Sequence, residues 1–147
     1  MAYEQLKLDN QVCFRLYSVA RLITQSYQPW LSKLGITYTQ YIVMMVLWEQ
    51  DHQPVNDIAK RLLLETNTVT PLIQRMETEG LVRREKDKAD ARKTIVSLTP
   101  KGQELEEQAA EVPSCMTQMF AEEGLDAEVF NQMIPSLDEI ICKMAKK

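Results

Sequence analysis

Glycine and proline are scarce in this chain, 4 and 6 in 147 residues, which argues against a loop-rich sandwich and against flexible linkers. No repeat or low-complexity stretch is present. Histidine occurs once, as His52, with no Ser or Cys nucleophile beside it in a recognisable motif, so a hydrolase has nothing to be built from. The three cysteines, Cys13, Cys115 and Cys142, lack metal-ligand spacing and do not resemble a disulfide framework. No N-terminal stretch has the charged, apolar, small-residue layout of a signal peptide, so the expected location is the cytoplasm. With 45% hydrophobic and 26% charged residues, neither a disordered nor a membrane-spanning chain is expected. The length suits one domain, or one core shared by two chains.

The net charge of -4 points away from nucleic acid, but the average conceals a division. Residues 1–55 balance to zero. Residues 56–101 hold ten basic against seven acidic residues, and residues 102–147 hold three against ten. Within the basic middle, Arg83, Arg84, Lys86, Lys88, Arg92 and Lys93 crowd together. A charge run of this kind is either solvated surface or a phosphate-binding patch, and charge alone does not choose.

Periodicity predicts a mainly helical chain with a small β-hairpin. Val12, Leu16, Val19, Ala20 and Ile23 recur at helical spacing from Asn10 to Ser26, with Pro29 kinking or ending that helix and Gly35 stopping the segment. Thr37 and Gln40 have capping-box spacing ahead of a run from Tyr41 to Trp48 that is apolar nearly all round, hence buried. Asp51 to Pro54 reads as a turn. Asn56 is placed as the cap of a short helix through Leu63, and Thr66 as the cap of another that ends at Gly80. Two short helices joined by a tight turn make a helix-turn-helix. Leu81–Glu85 and Thr94–Leu98 read as strands with a polar connection, completing a winged-helix arrangement. Thr99-Pro100 opens a further helix expected to run toward Phe120 with a kink at Pro113. A last helix, from about Asp126 to Met144, is expected to break near Pro135.

A recognition helix enters the major groove by its N-terminal residues. Here those are Thr66, Asn67, Thr68 and Thr70, then Gln74 and Arg75, whose hydroxyl, amide and guanidinium groups suit base edges and phosphates. Val69, Leu72, Ile73 and Met76 form the opposite, core-facing stripe. On the hairpin, Arg84 and Lys88 add charge, and Arg92 at the tip can reach a narrow minor groove with Asp90 pinning it. Read alone, Thr66 serves equally as a cap, and Arg92 as a flexible surface cation.

Taken in order, Asn56-Asp57-Ile58-Ala59-Lys60-Arg61-Leu62, Thr68 through Glu77, Gly80-Leu81-Val82-Arg83-Arg84, Asp90-Ala91-Arg92 and Leu98-Thr99-Pro100-Lys101-Gly102 resemble the MarR family of winged-helix transcription regulators. The resemblance spans nearly the whole chain. It implies a single domain over residues 1–147, with 1–36 and 102–147 as dimerisation helices and 37–101 as the DNA-binding lobe. It also implies a homodimer on a pseudo-palindromic double-stranded operator, acting as a repressor, without cofactor or membrane partner. Leu8 through Tyr17 and Gly35 through Tyr41 are similar to the organic-hydroperoxide sensor (OhrR-like) branch. In that branch the first-helix cysteine, here Cys13, reacts with organic peroxide, and tyrosines matching Tyr17, Tyr27 and Tyr38 surround it. Some members resolve the oxidised thiol with a second cysteine of the partner chain, which Cys115 matches in position; others form a mixed disulfide with a small thiol or overoxidise. Cys142, beside Ile140 and Ile141, reads as packing.

The residues themselves support Cys13 in part. It falls in the first turn of its helix, where the dipole and free N–H groups favour thiolate, and Tyr17 lies one turn away on the same face. Phe14, Tyr27, Trp30 and Tyr38 suit an organic peroxide. Two other readings stand beside this one. A regulator answering to a phenolic or other aromatic ligand would use Trp30, Tyr38, Tyr41, Met44, Met45 and Trp48, which a buried core explains equally well. A thiol peroxidase would leave the helix-turn-helix without purpose, and Arg15 is the one cation near Cys13.

Overall fold

The computed structural model describes residues 3–145. Two 3-10 turns, Glu4–Leu6 and Leu8–Asn10, lead into α1 (Val12–Ser26). There follow α2 (Gln28–Leu34), α3 (Tyr38–Glu49), β1 (Gln53–Pro54), α4 (Val55–Arg61) and α5 (Thr66–Thr78). Strands β2 (Val82–Lys86) and β3 (Thr94–Leu98) come next, then α6 (Pro100–Ala109), α7 (Val112–Glu122) and α8 (Ala127–Met144).

The mainly helical chain with a small β wing is present, and the wing has a third strand. Its order is β1-β3-β2, both pairings antiparallel, with Gln53 opposite Val96 and Val82 opposite Leu98. The Asp51–Pro54 turn is thus half strand. Two residues are too few for alternation to show in a sequence, and Pro54 is tolerated because β1 is an edge. Side chains fasten this edge. Asp51 Oδ1 accepts from the Leu98 N–H at 2.8 Å, and His52 Nδ1 meets the buried Ser97 Oγ at 2.7 Å.

The capping box of α3 forms as expected, with Thr37 and Gln40 exchanging hydrogen bonds. Four other expectations about the helices change. The cap positions of α4 and α5 belong to Pro54 and Glu65, neither with a side-chain cap bond; the Thr66 hydroxyl instead donates to Asn56 Oδ1 at 3.1 Å, tying the two helices. The turn between them places Leu63 in the left-handed region (φ 59°), with Leu64 N–H closing onto Ala59 O at 2.9 Å. That position is usually given to glycine, as at Gly80 (φ 80°) after α5. Pro113 kinks no long helix: α6 and α7 are separate, and Pro113 sits in the first turn of α7, where no intrahelical donor is lost. Pro135 lies inside an unbroken α8, on an exposed face where water can satisfy the carbonyl it frees.

The buried core runs from Leu31 on α2 through Met44 and Leu47 on α3, Val69 and Ile73 on α5 and Val96 on β3 to Leu105, Val112 and Met116 on α6 and α7. Helices α1 and α8 contribute no buried residue. Leu16, Val19 and Leu22 on α1, and Val129, Ile134, Ile140 and Ile141 on α8, stay exposed. No helix among the described residues is long and apolar enough to cross a membrane.

Candidate DNA interface and redox site

Helix α5 divides cleanly. Val69, Leu72, Ile73 and Met76 are buried, while Thr66, Asn67, Thr68, Gln74 and Arg75 are exposed and Thr70 is half-buried. The exposed group includes the first turn, whose free N–H groups favour anions.

The hairpin stands beside that turn. Arg92 is held by Asp90 through three bonds: its N–H and Nε to Oδ1 at 3.1 and 3.0 Å, and Nη2 to Oδ2 at 3.2 Å. These bonds hold the Asp90 carboxyl below its usual range and raise the Arg92 guanidinium. Asp90 occupies the Nε and Nη2 arms, so the exposed guanidinium is fixed with its Nη1 edge outward, which suits a groove or a phosphate. Arg84 is placed differently from the expectation of a free wing cation. Glu77 on α5 accepts from its backbone N–H at 2.8 Å and its Nε at 3.1 Å, so part of its charge is spent joining α5 to β2. Lys88 is exposed on the tip. Between α5 and the wing lies a cleft of about 190 Å³ walled by Asn56, Thr66, Thr70, Arg84, Arg92 and Lys93. Lys93 and Asn56 are members of this cleft that the sequence did not single out as contacts. Lys93 was visible only as one of a charge run, and Asn56 as a cap.

Cys13 is exposed at the second position of α1 and Tyr17 is exposed one turn on. Arg15 is turned to the backbone carbonyls of Asp9 and Gln11, where it fastens the N-terminal elbow. At the other end, Tyr27 caps α1 and packs edge-on against Tyr38 at 5.1 Å and against Tyr41 at 5.9 Å. Burial, then the neighbouring Tyr38 and Tyr41, push the Tyr27 phenol up, so it stays a protonated donor at neutral pH. Cys13 and Tyr27 are fourteen positions apart on one helix, about 21 Å at the helical rise. One chain therefore does not gather Cys13 with Tyr27 and Tyr38.

Cys115 is half-buried on α7 and faces α2 across a cavity also lined by Trp30, Lys33 and Glu111. Cys142 is exposed on α8, so within one chain it is not part of the packed core. Of the residues offered for an aromatic ligand, Tyr41 and Met44 lie in the core and Trp48 Nε1 donates to Gly102 O at 3.0 Å, whereas Met45 is exposed and Trp30 lines the cavity beside Cys115, its buried Nε1 without a hydrogen-bond partner among the described residues. No group of three or more His, Cys, Asp or Glu side chains able to hold a metal occurs among the described residues.

Residues 25–109 match the family model described as transcriptional regulator SarA/Rot. The organic hydroperoxide resistance transcriptional regulator of Bacillus subtilis is 35% identical over 139 residues, covering 95% of each chain. Among solved structures, the fold is similar to AbfR of Staphylococcus epidermidis. Reduced AbfR bound to DNA gives a TM-score of 0.73 at 38% identity, over 95% of this chain and 98% of that one. Overoxidised AbfR, also bound to DNA, gives 0.72 at 38% identity over 95% and 100%, and its disulfide form 0.65 at 38% over 94% and 95%.

Proposed function

This chain belongs to the MarR-type winged-helix transcription regulators of the SarA/Rot family, and from that premise we propose that it represses genes until organic hydroperoxide oxidises Cys13. It is a DNA-binding regulator and not an enzyme. The reduced form works as a homodimer whose two α5 helices and two wings span a pseudo-palindromic operator. Residues 37–101 form the DNA-binding lobe, and residues 1–36 and 102–147 form the dimerisation layer. The protein acts in the cytoplasm, where its operator is.

The observation that carries the reading is the separation along α1. A helix without buried residues, carrying a thiol at one end and a tyrosine cluster at the other, is half of two sites. A two-fold axis across its middle sets Cys13 of each copy beside Tyr27 and Tyr38 of the other. The Cys13 thiolate attacks the outer peroxide oxygen, giving sulfenate and releasing the alcohol. The Cys115 thiol of the partner then displaces hydroxide, which leaves as water, and a disulfide forms. In AbfR the overoxidised protein is bound to DNA and a disulfide form exists. That pairing favours the disulfide over overoxidation as the releasing event here. The new bond pulls the dimerisation layer, and the recognition helices lose their match to successive major grooves.

Operator titrations with and without cumene hydroperoxide test this. Wild type releases DNA and Cys13→Ser holds it; equal release by both removes Cys13 as the sensor. On non-reducing gels the oxidised protein runs as a crosslinked dimer. A crosslink that persists in Cys115→Ser removes Cys115 as its partner.

A further inference from the structure

We propose that the hydrogen bond between Gln40 and Glu79 couples the tyrosine cluster to the recognition helix, making Gln40 a positioning residue for the redox response. The proposal rests on the redox reading above. Gln40 and Ser97 are the two buried polar side chains among the described residues. A buried amide needs partners at both ends. Gln40 Oε1 accepts from the Thr37 N–H at 3.1 Å, and Nε2 donates to Glu79 Oε2 at 3.2 Å. The first bond is local and closes the capping box of α3. The second crosses 39 positions to the residue that ends α5.

The neighbours of Gln40 give this link its direction. Tyr38 opens α3 two residues before it, and Tyr41 follows it; both rings pack on Tyr27. A shift of Tyr38 turns the backbone between Thr37 and Tyr38, and the capping box turns with it. At the far side, Glu79 is gripped twice, by Gln40 through its side chain and by Lys101 Nζ, which donates to its carbonyl at 2.9 Å. The 13-residue α5 is about 20 Å long; near this end it is also joined to β2 by Glu77 and Arg84, and at its start Thr66 is tied to Asn56. Releasing the Gln40 bond removes one of these ties, so that α5 tilts on its buried stripe and carries Thr66, Asn67 and Thr68 with it. The bond ends on a carboxylate, a better acceptor than a neutral carbonyl.

Glu79→Ala removes the acceptor at an exposed position, Glu79→Gln keeps an acceptor oxygen, and Gln40→Leu removes the donor. Operator affinity is measured for the reduced protein and after cumene hydroperoxide, alongside the rate of Cys13 thiol loss. Glu79→Ala is expected to lose its thiol at the wild-type rate and, when reduced, to bind operator more weakly than wild type. Its ratio of reduced to oxidised affinity should fall at least about fivefold, the lower end of typical coupling between sites, with Glu79→Gln retaining most of the ratio. If wild type itself ignores peroxide, the redox reading fails. If wild type responds and Glu79→Ala responds to the same extent, the link fails, whether or not Gln40→Leu folds.

Discussion

Replacing Gly102 by alanine sets two physical effects against each other. Gly102 is buried in the first turn of α6, in an ordinary helical conformation. Helix propensity alone predicts that alanine stabilises by about 1 kcal/mol. The surroundings predict the opposite. A β-carbon would collide with the Leu81 carbonyl oxygen and come within 3.3 Å of Leu98 Cδ2. That carbonyl cannot swing away freely, because it accepts from both the N–H and the hydroxyl of Thr99, each at 3.1 Å. Helix α6 must move instead, at about 1–3 kcal/mol for overpacking. Moving it also loosens the bond from the Trp48 indole to Gly102 O, worth about 1–3 kcal/mol when a buried donor is left without its partner. After subtracting the propensity gain, the net loss is about 3 kcal/mol. For a chain of this size that lowers Tm by about 6–12 °C. Calorimetry or a circular-dichroism melt of the reduced protein measures it. An unchanged or raised Tm would refute the packing argument and leave propensity as the ruling term.

Arg92→Ala should weaken operator binding and flatten its salt dependence by about two in log–log slope for a dimer, one per wing; Asp90→Ala should weaken binding while keeping the slope, and an equal slope for wild type and Arg92→Ala would discount Arg92 as a phosphate contact. The Glu77 carboxyl is held below its ordinary 4.5, first by the Arg84 backbone N–H and then by the Arg84 side chain. A depressed carboxylate stabilises fully above its unfolded pKa, and that contribution is lost as pH falls through its folded value. The stability gap between wild type and Glu77→Gln, taken from melts between pH 7 and 3, should therefore close below about pH 4.5; a gap independent of pH would show that the ion pair contributes nothing. Leu22 on α1 and Val129 and Met133 on α8 line a wholly apolar groove. Leu22→Asp should give monomers by sedimentation and abolish operator binding, and a stable dimer would place the interface elsewhere.

Much of this architecture is legible from side-chain periodicity because the winged-helix lobe buries its apolar stripes within one chain. The stripe of α5, the capping box at Thr37 and the start of α6 at Thr99-Pro100 all follow local rules that the rest of the molecule does not override. Strand β1 was not legible: its two residues carry no pattern of their own and are strand only because β3 offers an edge and Asp51 anchors the turn. The caps misassigned to Asn56 and Thr66 show the same limit. Both side chains can cap, but the inter-helix bond between them satisfies two groups at once. The role of Glu77 as the holder of Arg84, and of Glu79 as the partner of Gln40, could not be read at all. Each pairing joins residues that no local pattern relates.

The distance between Cys13 and Tyr27 has a genetic consequence. On the proposed pairing, each chain lends its thiol to one site and its tyrosines to the other, so no chain owns a complete sensor. Two defective chains, one lacking Cys13 and one lacking Tyr27 and Tyr38, would assemble a mixed dimer with one intact site and one site without its thiol and both of these tyrosines. Mixed dimers should then answer to peroxide where neither parent homodimer does, and how fully they answer would count how many oxidised sites are needed to release the operator.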